Sequence, residues 1–110
     1  MTVFDATDAE PAGWQRRTAA ELARILDAHR DLPLITWTVG AVGSVLVGQV
    51  SSPMGTRARI SFNAWRQALA LVDHHEHASN AVTHLSAKDH RDGIRIMLLA
   101  DLLNDPGERP

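Results

Sequence analysis

The chain has 110 residues, of which 45% are hydrophobic and 22% are charged, and its formal net charge at pH 7 is −2. A chain of this length has room for one hydrophobic core, so we expect a single domain. The slightly negative charge argues against a protein that binds polyanions over its whole surface. The sequence has no cysteine, which excludes a disulfide scaffold, a thiol nucleophile and a zinc site built on thiolates.

Neither a membrane span nor a secretion signal is expected. The longest apolar segment, residues 32–50, is interrupted by Pro33 and by three glycines, whereas a membrane-spanning helix needs about 20 consecutive apolar residues. The first ten residues contain acidic side chains where a signal peptide would be basic. We therefore expect a cytoplasmic protein.

The domain is expected to cover residues 13–103, between flexible tails at 1–12 and 104–110. Both tails lack hydrophobic periodicity and contain proline.

The first half of the domain is predicted to be a helix followed by a β-hairpin. The helix begins at Trp14 or at the capping-box sequence that starts with Thr18, and it ends before Pro33, since the residue preceding a proline disfavours helical backbone. The hairpin joins residues 34–39 to 45–50, because β-branched and aromatic residues are frequent in these segments. The apolar stripe of the helix consists of Leu22, Ile25, Leu26 and His29.

The second half is predicted to repeat this order. A helix starts after the cap at residues 51–53 and runs to about His77. Residues 81–88 and 94–100 form the last two strands, joined at Asp92-Gly93, because a type I′ turn needs positive φ at both central positions. The helix stripe consists of Ala58, Phe62, Trp65, Leu69 and Val72.

The predicted fold class is α+β. Two αββ units share one four-stranded antiparallel sheet, with two helices on one face of it. An offset of 47 residues supports the repeat, since it aligns Leu22 with Leu69 and Ile25 with Val72.

Several short motifs carry a resemblance to known proteins. They are Leu32-Pro33, Trp37-Thr38-Val39, Leu46-Val47-Gly48, Phe62-x-x-Trp65-x-x-x-Leu69 and Val82-Thr83-His84-Leu85. With these motifs, the segment from Ala20 to Ala100 resembles a group of small uncharacterised actinobacterial proteins that are often carried on phages and integrating elements. The resemblance implies a single domain without enzymatic activity, and it implies no substrate.

The segment Asp73-His74-His75-Glu76-His77 is the candidate metal site of the sequence. On the predicted helix, His74 and His77 lie three residues apart on one side, where both could contact one metal ion. The segment departs from the H-E-x-x-H zinc motif, and histidine is also favoured at an exposed helix C-terminus. We therefore expect no metal and no cofactor, and a metal-dependent enzyme that uses His74 and His77 stays as an alternative.

A second alternative is a nucleic-acid-binding module. Arg57, Arg59 and Arg66 are interleaved with Phe62 and Trp65 in the second helix, and binders of single-stranded nucleic acid combine arginines for phosphates with aromatic rings for bases. Both aromatic residues also belong to the core stripe, and the net charge is negative. A mildly basic outer helix face is therefore the favoured interpretation.

The last strand indicates protein binding. Over residues 94–99 only Arg95 is charged, whereas a strand with one solvated face should alternate between apolar and polar residues. Met97 and Leu99 should then lie beside Arg95 on the sheet face opposite the helices. The expected partner-binding residues are Arg95, Met97, Leu99, Thr36 and Thr38.

No motif in the sequence nominates an enzyme. It contains no GxSxG, P-loop or GxGxxG pattern, and no spacing identifies a catalytic triad. We expect a small non-enzymatic regulatory or adaptor protein that binds a protein partner. It should form a homodimer through the sheet face that carries Met97 and Leu99 or through a free sheet edge.

Overall fold

The structure is a computed structural model, and it describes residues 11–40, 44–50 and 55–104. Within these residues the element order is αββαβββ, which is an α+β fold as predicted. The helices are α1 (Pro11–Ala28) and α2 (Gly55–Ala68). The strands are β1 (Thr36–Val39), β2 (Val45–Val50), β3 (Asp73–Ala78), β4 (Val82–Arg91) and β5 (Ile94–Leu103).

All five strands form one mixed sheet in the order β1-β2-β5-β4-β3. Neighbouring strands are antiparallel except for β2 and β5, which run parallel with Leu46 opposite Ile96. The predicted four-stranded antiparallel sheet is therefore wrong in its strand number and in this central pair. Parallel neighbours need a long crossover connection, and the chain between β2 and β5 provides one that contains α2, β3 and β4.

The end of α2 explains the additional strand. The sequence predicts that the second helix continues into the histidine-rich segment, and this prediction is wrong, because α2 ends at Ala68 and that segment forms β3. Ala70 has a φ of 53°, and its amide donates to the carbonyl of Gln67 at 3.1 Å. The amide of Leu71 donates to the carbonyl of Arg66, also at 3.1 Å. These bonds form a Schellman cap, which usually carries glycine at the position of Ala70. Because alanine takes this position, the sequence lacks the glycine that would have indicated the end of the helix.

The buried core lies between the helices and one face of the sheet. The predicted α2 stripe is confirmed at four positions, which are at most 2% exposed: Ala58, Phe62, Trp65 and Leu69. Val72 is 79% exposed, and its assignment to the core is wrong because it follows the helix end. The sheet contributes Leu46, Val50, Leu85, Ala87, Ile94, Ile96, Leu98, Ala100 and Leu102.

Two tryptophans connect α2 to the β1–β2 hairpin. The indole Nε1 of Trp65 donates to the carbonyl of Pro33 at 2.7 Å. The ring of Trp65 meets that of Trp37 edge-on, with ring centres 5.5 Å apart. Trp37 lies over Gly48, where a Cβ atom would be 2.9 Å from the ring. Glycine at this position of β2 therefore makes room for the indole.

The two ends of the domain differ from the expected boundaries. α1 begins at Pro11, inside the expected N-terminal tail. The rest of both expected tails lies outside the described residues, as does the predicted cap at 51–53. The sequence places Asn104 in the C-terminal tail, yet its side chain accepts a hydrogen bond from Thr83 at 2.7 Å and donates one to the carbonyl of Ser79 at 3.1 Å. These bonds attach the end of β5 to the β3–β4 turn.

The predicted turn between the last two strands is confirmed. Asp92 and Gly93 have φ values of 54° and 79°, as a type I′ turn requires. This turn sets the register of β4 against β5, with Lys88 opposite Met97.

Candidate interaction surface

One face of the sheet points away from the core, and we call it the open face. Residues from both described helices belong to the buried cluster on the opposite face. The pairing register arranges the open-face side chains in rows across the strands. The rows are Val82 and Leu103; His77, His84 and Asp101; His75, Ser86, Leu99, Gln49 and Thr36; Asp73, Lys88, Met97, Val47 and Thr38; and His90, Arg95 and Val45.

Four side chains form an apolar cluster at the centre of the open face: Val45, Val47, Met97 and Leu99. They lie on the neighbouring strands β2 and β5, and all four are partly exposed. Sequence reasoning places Met97 and Leu99 on this face, as the structure does. It missed Val45 and Val47, because their neighbours are known only once the parallel register of β2 and β5 is known.

Polar residues surround the apolar cluster. Thr36 and Thr38 are exposed on β1, so the five expected partner-binding residues share one face. On the same face, towards the β3 edge of the sheet, Lys88 Nζ lies 3.9 Å from Asp73 Oδ2. Exposed pairs of this kind stabilise a fold by at most about 1 kcal/mol. The charged residues of this rim are Asp73, Asp101, Lys88 and Arg95.

The histidines are grouped differently from the prediction. Side chains alternate along a strand, so His74 and His77 project from opposite faces of β3, and their assignment to one metal site is wrong. His77 lies directly opposite His84, with ring centres 6.4 Å apart and ring planes 15° from parallel. The Nδ1 atom of His84 is 2.6 Å from Oδ1 of Asp101. We call these three open-face residues, His77, His84 and Asp101, the histidine row.

A further histidine lies beside this row. His75 shares the open face, and its Nε2 is 2.8 Å from Oδ1 of Asp73. Among the described residues, no group of three or more histidine, aspartate or glutamate side chains has the arrangement of a metal site. Sequence reasoning missed Asp101 and did not place His84 beside His77, and the signal that joins His84 and Asp101 to His77 is the strand register.

On the other face of β3, Glu76 is held by α2. The Nη1 and Nη2 atoms of Arg59 donate to the two carboxylate oxygens of Glu76, each at 3.1 Å. These hydrogen bonds lower the pKa of Glu76 below its ordinary value of 4.5, and the charges of Arg59 and His74 act in the same direction, while desolvation opposes them. Both side chains of the pair are 44% exposed, so the pair tethers β3 to α2 with a small energetic gain.

The three arginines of the nucleic-acid alternative do not form one surface. Arg57 and Arg59 are two positions apart on α2, which separates them by about 200° around the helix axis. Arg59 binds Glu76. Arg66 is partly buried, and its Nε is buried without a hydrogen-bond partner among the described residues. The basic stripe that the alternative requires is therefore divided.

A small apolar recess lies between the end of α1 and the start of β1. Its volume is about 260 Å³, and its lining includes Leu26, His29, Leu34 and the rings of Trp37 and Trp65. Binding pockets for small molecules usually measure about 300–1,000 Å³. The recess is below that range, and we assign no ligand to it.

Comparison of the chain with models of protein families, with curated proteins and with solved structures gives no match. The resemblance to actinobacterial proteins of mobile elements therefore stays a prediction. Neither helix in the described part of the chain has the length and hydrophobicity needed to cross a membrane.

Proposed function

We propose that this protein is a non-enzymatic binding protein whose open face binds a second copy of the same chain. One observation carries the proposal: the apolar cluster occupies two neighbouring strands, and the described helices pack on the opposite side of the sheet. An apolar patch with a polar rim is typical of protein–protein contact sites. The cluster and its rim match that description.

The size of the open face suits a homodimer. Five strands spaced about 4.8 Å apart, with about 3.3 Å per residue and about seven residues per strand, give a flat footprint near 600 Å². The accessible surface of side chains standing on this area is larger than the footprint. A standard interface buries about 800 Å² per partner, so one sheet face approaches the required area.

The charges of the rim also suit a second copy. A two-fold dimer places one surface against itself, so a face with charges of one sign would repel its copy. The rim carries two carboxylates and two cations, which allows oppositely charged residues to meet across the two-fold axis. The charged rim residues are Asp73, Asp101, Lys88 and Arg95.

The β3 edge, one of the two edges of the described sheet, is less suited to self-association than the open face. All six residues of β3 are exposed, and the strand contains Asp73, Glu76 and three histidines. Natural sheets use charged side chains on edge strands to prevent pairing with other chains. We therefore place the dimer contact on the open face, and the β3 edge stays accessible in the dimer.

The proposed role is that of a small cytoplasmic regulatory or adaptor protein that acts as a dimer. A protein partner would bind the surfaces that the dimer leaves exposed. The divided arginines of α2 give nucleic acid less support as a partner, and no described cluster of residues supports a catalytic centre.

Light scattering coupled to size-exclusion chromatography tests the proposal. We expect the parent chain to have a mass of about 24 kDa, twice the 12.0 kDa of one chain. The double variant Met97→Asp/Leu99→Lys should have the mass of one chain, because it places charges in the centre of the contact. Circular dichroism should show that the variant is folded.

A matched control changes two exposed apolar residues away from the open face, Ile60→Asp and Val72→Lys. Ile60 is 60% exposed and Val72 is 79% exposed, so this control should stay dimeric. A parent chain with the mass of one protomer over the whole accessible concentration range refutes the homodimer. A control that dissociates like the open-face variant would place the contact elsewhere.

A further inference from the structure

We propose that His77 and His84 together bind one divalent transition-metal ion on the open face. The two residues are directly opposite each other on β3 and β4, and side chains opposite each other in an antiparallel pair have Cβ atoms about 5 Å apart. Their rings are already stacked, with centres 6.4 Å apart. Imidazole is a preferred ligand of Zn²⁺, Cu²⁺ and Ni²⁺.

Binding of one ion by both rings requires a closer approach and a turn of at least one ring. An imidazole nitrogen binds Zn²⁺ at about 2.0–2.1 Å, and a tetrahedral angle between two such ligands places the ring centres about 5 Å apart. The rings therefore need to approach each other by about 1 Å, and at least one ring must turn out of the near-parallel stack so that a nitrogen of each ring points at the ion. The contact with Asp101 holds the ring of His84, so rotation about the side-chain bonds of exposed His77 supplies most of this movement.

Asp101 prepares His84 for metal binding. Its carboxylate is 2.6 Å from Nδ1 of His84, and this contact favours the tautomer that carries a proton on Nδ1 and a lone pair on Nε2. Metal-binding histidines usually have such a carboxylate on the second ring nitrogen, because it fixes the ring and increases its basicity. Asp101 is thus a positioning residue, and Nε2 of His84 is the proposed ligand atom.

The strand explains why this pair differs from the one considered as an alternative in the sequence. The helix prediction joins His74 to His77, whereas the strand separates them and brings His84 of β4 beside His77. Because the described residues offer no third ligand in this arrangement, water would complete the coordination of the ion. Both ligands belong to one chain, but they lie on the face that the proposed homodimer covers, so metal binding is also measured on a variant that does not dimerise.

Isothermal titration calorimetry of the chain without an affinity tag tests the inference, with ZnCl₂ and CuCl₂ as probes. We expect one ion per chain and tighter binding of Cu²⁺ than of Zn²⁺. Replacement of either ligand, in His77→Ala or His84→Ala, should abolish binding. Asp101→Asn should weaken it by about 10–100-fold. The electron paramagnetic resonance spectrum of the Cu²⁺ complex should show two imidazole nitrogens.

The matched control is His74→Ala, since His74 is on the same strand but on the other face. It should bind both ions like the parent chain. The inference is wrong if the parent chain binds neither ion, or if His74→Ala reduces binding as much as His77→Ala does. Retention of binding by the Met97→Asp/Leu99→Lys variant, together with a mass of one chain, would separate this site from the dimer contact.

Discussion

Replacement of Trp65 tests the contact that joins α2 to the β1–β2 hairpin. Trp65 is 2% exposed, and a buried tryptophan removes about 150–250 Å² from water. At about 25 cal/mol per Å², this burial corresponds to roughly 4–6 kcal/mol. Alanine keeps part of this buried area, and neighbouring side chains relax partly into the space, so we expect Trp65→Ala to lower the free energy of unfolding by about 3–5 kcal/mol. A domain of this size is typically stable by about 5–15 kcal/mol.

A second variant separates the hydrogen bond from the apolar area. Trp65→Phe keeps an aromatic ring but removes the Nε1 donor, which leaves the carbonyl of Pro33 without the 2.7 Å bond. A lost hydrogen bond of this kind costs about 1 kcal/mol, and the smaller ring leaves space beside Trp37. We therefore expect a loss of about 2 kcal/mol, between the parent chain and Trp65→Ala.

Urea unfolding followed by circular dichroism measures these differences. All variants are compared at one protein concentration, since the stability of a dimer depends on concentration. The control is Ile60→Ala on the same helix, which should change the free energy of unfolding by no more than about 0.5 kcal/mol because Ile60 is exposed. If Trp65→Ala unfolds at the same urea concentration as the parent chain and loses only its self-association, Trp65 is a surface contact and the reasoning is refuted.

Two further predictions concern the end of α2 and its tether to β3. Ala70→Gly should raise the free energy of unfolding by about 1 kcal/mol in the same urea experiment, because glycine adopts the positive φ of this cap without the strain of a Cβ atom; an unchanged or lower stability contradicts the cap. Glu76→Gln should lower stability at pH 7 by less than about 1 kcal/mol, since the pair with Arg59 is exposed. The pKa of Glu76 is lowered by folding, so this contribution is present above pH 4.5 and disappears as the pH falls through the lowered pKa. A difference between Glu76→Gln and the parent chain that is the same at pH 7 and pH 2 would contradict the assignment.

The parts of the fold that the sequence predicts correctly depend on local patterns. Phe62, Trp65 and Leu69 follow helical spacing, and the structure buries all three. Asp92-Gly93 meets the conformational demand of a type I′ turn, and both residues have positive φ. In each case, neighbouring residues contain the whole signal.

The parts that the sequence does not predict depend on one unusual cap and on contacts between distant residues. Ala70 terminates a helix in a conformation that glycine normally adopts, so a histidine-rich strand is mistaken for the rest of the helix. The parallel pair of β2 and β5 joins residues fifty positions apart, as in the pair of Val47 and Met97. No periodicity in either strand specifies its neighbour.

The residues of the candidate surface show the same difference between local patterns and contacts of distant residues. The two-residue period of the last strand places Met97 and Leu99 on the open face beside Arg95, and their apolar character breaks the expected polar alternation, which is a local signal. The histidine row needs the register of three strands, since His77, His84 and Asp101 come from β3, β4 and β5. Its geometry therefore becomes visible only in the folded chain.

Solvent accessibility of the methyl group of Met97 tests the central claim, that a second copy covers the open face. In nuclear magnetic resonance spectra, a soluble gadolinium chelate broadens the signals of methyl groups that solvent reaches. We predict that the Met97 methyl signal of the parent chain is protected, that it broadens in the single variant Leu99→Lys, and that the methyl signals of exposed Ile60 broaden equally in both. A Met97 methyl signal that broadens in the parent chain as much as it does in Leu99→Lys would show that the open face is uncovered, and it would contradict the account.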